Sequence, residues 1–348
     1  MVMSLDLETF LENFYAAKVK EQFGTEGLRI LADVMKAVRK VYQYIEPSCC
    51  NFPIFVFKTV NEKFQPIQIP PTYILEDYNQ LVQIIDQECV IQLAENELLH
   101  VWKNLGIAPA SLSKFGVVYE YNNRIEYFHA NNQTEPVPKI SPSQASTFAL
   151  NTFEELVEAL ENYKMKQVRY CSCPLLQEIW YDQNRIFLKN KPEKIMRKSL
   201  TQFLKARLRS NVEVRPEQIV DESHPVDIKV TWYSTNRLAL IEIKWLGNSK
   251  MEDGRKGQAY RDFRANEGAK QLADYLDANL QQAPVHITRG YLVIIDCRRA
   301  KLKEDTITID EENGIFFRDH EISFEPDYHK KRRDFEKPIR MFVEPICI

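Results

Sequence analysis

No run of about eighteen apolar residues occurs in this 348-residue chain, so no membrane-spanning helix is expected. The opening Met1-Val2-Met3-Ser4-Leu5-Asp6 lacks the basic-then-apolar pattern of a secretion signal. There is no internal repeat and no low-complexity tract, which argues against a solenoid or a disordered tether. No phosphate-cradling GxxxxGK[ST] loop is present, so no ATPase chemistry is expected. No serine–histidine arrangement stands out, and Cys171-x-Cys173 has no second pair at zinc-ligand spacing. Cys49-Cys50 lies far off in sequence, and His100 and His129 lack ligand spacing. Seven cysteines, an odd number, suit reduced thiols inside a cell rather than a disulfide framework, and imply a cytoplasmic protein.

What remains suits two globular domains. The length favours two, and a hydrophobic content of 44% is ample for two cores. The net charge of −3 hides an asymmetry. Residues 185–348 hold 31 Lys and Arg against 26 Asp and Glu, whereas residues 1–184 hold 15 against 23. The basic half is therefore the better candidate for a polyanion, and the acidic half a poor one.

Within the basic half, one stretch carries chemistry. Ile228-Lys229-Val230-Thr231-Trp232 and Leu238-Ala239-Leu240-Ile241-Glu242-Ile243-Lys244-Trp245 are rich in β-branched and aromatic residues, and Tyr233-Ser234-Thr235-Asn236-Arg237 between them is polar enough to turn. This predicts a hairpin. Side chains alternate across a strand, so Glu242 and Lys244 share a face with Leu238 and Leu240, while Ile241, Ile243 and Trp245 take the other. Asp227 precedes the first strand and falls opposite the end of the second, near Glu242 and Lys244. Charges inside apolar strands are costly unless paired or bound to metal.

Asp227, Glu242 and Lys244, preceded by Pro225-Val226, resemble the signature of the PD-(D/E)xK nucleases, the restriction-endonuclease-like superfamily. Val226 between proline and aspartate departs from the strict pattern, but the proline is not a catalytic group. The resemblance covers about residues 185–300. It implies an α/β (α+β) fold, with a mixed central sheet flanked by helices: a helix, three antiparallel strands, a second helix and a further strand. It implies that Asp227 and Glu242 hold Mg²⁺, with help from the Ile243 carbonyl and with Mn²⁺ able to substitute. Lys244 would orient water and offset phosphate charge.

Flanking segments fit that order. Asn190-Lys191-Pro192-Glu193 opens a helix running to Leu208, striped by Leu200, Phe203, Leu204 and Leu208. Glu193 matches a site glutamate of many relatives, or is the third residue of a capping box with Asn190. Val212-Glu213-Val214-Arg215 reads as a strand, and Glu217 after it is a further candidate carboxylate. Gly268 to Leu276 is helical in pattern, and Gln271 and Tyr275, four apart, resemble the Gln-hydrophobic-x-x-Tyr motif of the RecB-like branch. That likeness gives Gln271 to the site and Tyr275 to substrate or helix packing. Gly290 to Asp296 is a buried strand. His224, before Pro225, reads as a surface residue.

Residues 185–209 carry nine basic side chains against the single acid Glu193. From this run Lys194, Arg197 and Lys198, and from the glycine-interrupted, charged segment 246–267 Lys250, Arg255 and Lys256, are the candidate nucleic-acid contacts. That segment reads as a mobile loop, and Lys330-Lys331-Arg332-Arg333 as a local basic patch.

The N-terminal half resembles no family. Two helices are expected over 5–46, the first striped by Leu7, Phe10, Leu11 and Phe14 and the second by Leu28, Leu31, Met35, Val38 and Val41. A strand is expected at 53–57, helical segments near 77–86 and 93–104, a hairpin around Asn122-Asn123, a loop near 131–148, and a helix opened by a capping box at Thr152. The division expected is an α+β accessory domain over 1–165 and a nuclease domain over 185–348. Taken together, the expectation is a Mg²⁺-dependent enzyme cutting DNA, an endonuclease of restriction, anti-phage defence or repair. RNase activity and a silent nucleic-acid-binding or assembly subunit are the alternatives. Cutting both strands with one site per chain favours a homodimer, and residues 1–184 are placed to meet an activator or partner subunit.

Overall fold

The computed structural model describes residues 2–61, 64–94, 97–139, 145–150, 152–208, 212–219, 225–233, 235–283 and 286–348, with the side chains of 2–14, 218 and 219 outside the description. His224 therefore lies outside the described residues, as do the side chains of the Leu7, Phe10, Leu11 and Phe14 stripe. The chain is mixed α and β and divides into two compact units, Met1–Asn151 and Thr152–Ile348.

The first unit opens with α1 (Val2–Tyr44), which Gly24 breaks in two at φ 64°, ψ −154°. Glycine alone tolerates that conformation cheaply, and the break delivers the two helices expected. Leu31, Met35, Val38 and Val41 bury the second half against a seven-stranded mixed sheet. Its strands are β1 (Ile54–Thr59), β2 (Tyr73–Leu75), β3 (Cys89–Leu93), β4 (Leu99–Lys103), β5 (Gly116–Asn122), β6 (Ile125–Ala130) and β7 (Gln133–Pro136), in the order β2-β4-β3-β1-β5-β6-β7. The helix expected over 93–104 is a strand: Leu99, Val101 and Trp102 are buried in β4, which pairs with β3. A five-residue apolar run satisfies either period, and the sheet decides. A short helix, α2 (Pro109–Ser113), precedes the β5–β6 hairpin. Buried Glu126 accepts hydrogen bonds from Tyr119 Oη, Ser146 Oγ and the Thr147 N–H, which satisfy a carboxyl whose burial raises its pKa.

The second unit begins earlier than expected, with α3 (Phe153–Tyr163), whose Phe153, Leu156, Leu160 and Tyr163 pack into the same core as the hairpin strands. The capping box at Thr152 does not form, because the Thr152 side chain makes no cap hydrogen bond. After α4 (Pro174–Gln177) and β8 (Leu188–Lys189) comes α5 (Glu193–Arg207), started by Pro192 rather than capped by Asn190. Next are β9 (Val212–Ile219), β10 (Pro225–Trp232), β11 (Arg237–Lys250), β12 (Lys256–Tyr260), α6 (Asp262–Gln282), β13 (Ile287–Asp296) and β14 (Ile339–Phe342).

The main sheet runs β14-β13-β11-β10-β9. β9, β10 and β11 are antiparallel neighbours, and β13 lies parallel to β11, a connection that requires a crossover and uses α6. Ile228, Val230, Ile241, Ile243 and Trp245 face α3 and α5, whereas Leu238, Leu240, Leu292 and Ile294 face Ala265, Ala269, Leu272 and Leu276 of α6. Each such aliphatic side chain contributes about 1.5–3 kcal/mol on burial. Both faces of β11 are thus covered, and any charge on it is enclosed.

The segment 246–267 is not the loop its charges suggested. β11 continues through Gly247, at φ 142°, where the backbone passes Cys297, and then turns back as β12 into α6. α6 begins at Asp262, six residues before the expected Gly268.

Candidate active site

Asp227, Glu242, Lys244 and Gln271 meet where the β10–β11 ladder ends. The last registered pair is Ile228 with Ile241. Beyond it the Asp227 carboxylate takes over, with Oδ2 accepting the Ile243 N–H at 2.8 Å. Asp227 is thereby fixed beside the Glu242-Ile243-Lys244 segment.

Glu242 is 2% exposed and Lys244 5%. Lys244 Nζ donates to Glu242 Oε1 at 2.6 Å and to Gln271 Oε1 at 3.0 Å. Gln271 Nε2 donates to Tyr275 Oη at 2.5 Å, and that hydroxyl donates to the Pro225 carbonyl at 3.2 Å. The chain of bonds links β11, through α6, to the first residue of β10. Glu242 Oε2 is buried and has no hydrogen-bond partner among the described residues. An unmet buried acceptor costs about 1–3 kcal/mol, and desolvating an ion pair costs several more per ion. As a device for stability the cluster is poor; as a receptacle for a cation it is apt.

Electrostatics agree. Burial and the neighbouring Asp227 charge push the Glu242 carboxyl up to about 7, against the pull of Lys244 and with a smaller push from Glu193. Carboxylates crowded this way favour an added cation. Among the described residues, no three His, Cys, Asp or Glu side chains gather as a metal cluster. Asp227 and Glu242 supply two carboxylates, which suffices for Mg²⁺, an ion that keeps several of its waters. The two carboxylates are hard oxygen donors and fit that ion.

Two arginines occupy the rim. Arg197 of α5 donates through Nη1 to Asp227 Oδ1 at 2.7 Å, and through Nη2 to Glu217. Glu217 sits at φ 50° on β9 with its side chain mostly exposed. It is at the rim, tied to the centre through Arg197. Glu193 is no capping glutamate: its Oε1 accepts from Arg264 Nη2 at 3.1 Å, and Arg264 also reaches Glu267.

The face of α6 toward the site reads Arg264, Gly268, Gln271, Tyr275, one stripe at helical spacing. Gly268 had not been singled out. A Cβ there would lie 2.5 Å from Lys244 Cγ and 3.0 Å from Cε. The signal was legible, because glycine inside a helix costs about 1 kcal/mol against alanine and calls for a packing reason. Arg264 lies in the charged segment 246–267 and was not singled out either.

The candidate nucleic-acid contacts divide. Lys194, Lys198 and Lys256 are exposed and have no carboxylate partner among the described residues. Arg197 is turned inward. Lys250 donates to the Glu304 carbonyl and lies over the Tyr181 and Phe187 rings, which explains its partial burial. Arg255 pairs with Asp253. Tyr275 is buried, so of its two suggested roles the structure bears on helix packing.

No helix among the described residues is long and apolar enough to cross a membrane. Comparison with family models, curated proteins and solved structures finds no match to this chain.

Proposed function

We propose that residues 152–348 form a divalent-metal-dependent nuclease that hydrolyses DNA phosphodiester bonds, of the PD-(D/E)xK kind. The single observation that carries the reading is Glu242: a buried carboxylate with one oxygen lacking a partner among the described residues, beside Asp227 and bonded to a buried lysine. The order of α5, three antiparallel strands, α6 and a parallel strand supports it.

Asp227 and Glu242 would hold Mg²⁺, which when bound polarises the phosphate and activates water. Lys244 spends two of its three ammonium donors on Glu242 and Gln271, leaving one for the attacking water or a phosphate oxygen. Gln271 fixes the rotamer of Lys244, and Tyr275 fixes Gln271. The enclosed setting strengthens the pull of Lys244 on the charge that develops as water oxygen bonds to phosphorus and the ester oxygen leaves. The exposed Lys194 and Lys198 on α5 supply sequence-independent attraction to the backbone.

One observation favours a second reading, a silent binding subunit: Arg197 already holds Asp227. The experiment is to incubate the protein and its Lys244→Ala variant with supercoiled plasmid, linear duplex, single-stranded DNA and RNA, under Mg²⁺, Mn²⁺ or EDTA. Metal-dependent cleavage that the variant loses supports the nuclease and names its substrate. A folded wild type that cuts nothing favours the silent subunit, or an enzyme awaiting an activator at residues 1–151.

A further inference from the structure

The corner between β12 and α6 carries a feature the site does not use. Phe263, in the first turn of α6, is 52% exposed. Its ring lies 6.1 Å from that of Tyr260, and the Tyr260 ring is braced edge-on by Trp245 at 4.6 Å and covered by the Arg264 guanidinium at 4.8 Å. Arg264 is the same residue that holds Glu193 at the rim. Arg261, two residues before the exposed ring, is itself exposed; it donates to the Tyr260 carbonyl and makes no ion pair among the described residues, with Asp296 and Asp262 near enough to act on its charge. The carboxylates of this corner are taken: Asp262 faces Arg298, and Glu267 faces Arg264.

An open aromatic face, backed by a fixed second ring and edged by an exposed arginine, matches one ligand chemistry well: an unpaired nucleobase with a flanking phosphate. An apolar protein partner would not call for an exposed arginine at the edge of the ring. A duplex would offer Phe263 only the rim of its stack.

We infer that Phe263, with Tyr260 and Arg261, forms a stacking subsite for an unpaired base of the strand entering the site beside Arg264, so that the preferred substrate is single-stranded or frayed nucleic acid. The inference rests on the nuclease reading and deepens it by naming the substrate class. Phe263 is exposed, and its replacement leaves both faces of the sheet covered.

The test measures binding by the full chain, in EDTA so that nothing is cut, to a labelled oligonucleotide as single strand and as blunt duplex, by fluorescence anisotropy. Phe263→Ala and Phe263→Leu should each weaken single-strand binding about tenfold or more, Phe263→Trp should retain it, and duplex affinity should not change. Arg261→Ala should instead lower the salt dependence of binding by about one unit of slope. Tyr233→Ala, an exposed aromatic at the turn end of the β10–β11 hairpin, should have no effect. Equal affinity of Phe263→Ala and wild type for the single strand overturns the subsite, and so does an equal loss on both substrates. A wild type that binds no nucleic acid at all overturns the nuclease reading together with the subsite; a wild type that binds and cuts while Phe263→Ala is unaffected removes the subsite alone.

Discussion

A β-carbon on Gly268 would stand 2.5 Å from Cγ of Lys244, closer than real Cβ contacts come. The glycine is what lets α6 lie against the lysine stem while Gln271, three residues on, takes the ammonium. Gly268→Ala should therefore act on Lys244. The helix gains about 1 kcal/mol of propensity, so the fold should survive, but the stem must move and its bond to Gln271 should be lost. Metal-dependent cleavage should fall at least tenfold with thermal unfolding changed little, read by circular dichroism beside a nicking assay. Full activity in a well-folded Gly268→Ala protein would show that the contact does not position the lysine.

Glu242 gives the metal-free protein a pH dependence of definite sign. Its carboxyl lies near 7 in the fold against an ordinary 4.5, driven first by burial and then by Asp227. A raised acid binds more protons folded than unfolded, so its contribution is fully present below about pH 4.5 and is lost as the pH climbs through about 7. Between about pH 5 and pH 8 the metal-free protein should lose about 1–3 kcal/mol through this group. The double variant Glu242→Gln with Lys244→Met should flatten that slope in urea titrations; an unchanged slope would sink the assignment. Mg²⁺ affinity should rise over the same interval, because the ion must displace the proton.

Arg197 holds one oxygen of Asp227 at 2.7 Å, where it competes with any cation for that carboxylate. Arg197→Ala should tighten Mn²⁺ binding several-fold in calorimetry. It should also cost about 1.5–3 kcal/mol of stability, the usual worth of a hydrogen bond to a charged group. The Ile243 N–H still holds the other oxygen, so Asp227 keeps its place. Weaker Mn²⁺ binding in the variant would mean that Arg197 organises the carboxylate rather than blocking it.

Much of the second unit was legible because its pattern is strong. The β10–β11 hairpin follows from two β-branched runs around a polar break, and Glu242 and Lys244 stand out as charges inside the second of them. Gln271 followed from spacing on a helix. The Arg197–Asp227 pair was not legible, since it spans thirty positions and exists only because α5 packs across the sheet with that residue at the β10 end. β12 was hidden because its charges read as loop, whereas a hairpin strand at a sheet's end leaves its side chains exposed. The start of the second unit was missed for another reason: α3 is amphipathic, and only the fold says which core its apolar face joins.

That boundary has a consequence of its own. Phe153, Leu156, Leu160 and Tyr163 of α3 lie in one core with Met196, Leu200 and Leu204 of α5 and with Ile228 and Ile241 of the hairpin, and Tyr163 Oη donates to Ser199 Oγ at 2.8 Å. A chain cut to begin at Thr152 should fold and keep the site, because its core is whole. A chain cut to begin at residue 185 loses α3 and α4 and exposes the α5 face of the sheet. Removing four large buried side chains at about 2–5 kcal/mol each costs about 8–20 kcal/mol, as much as the whole stability of an ordinary domain. The shorter chain should be insoluble or lack a cooperative transition, whereas the chain from Thr152 should unfold in one step. If the two prove equally stable, α3 belongs to the first unit after all, and the division between Asn151 and Thr152 must move toward residue 185.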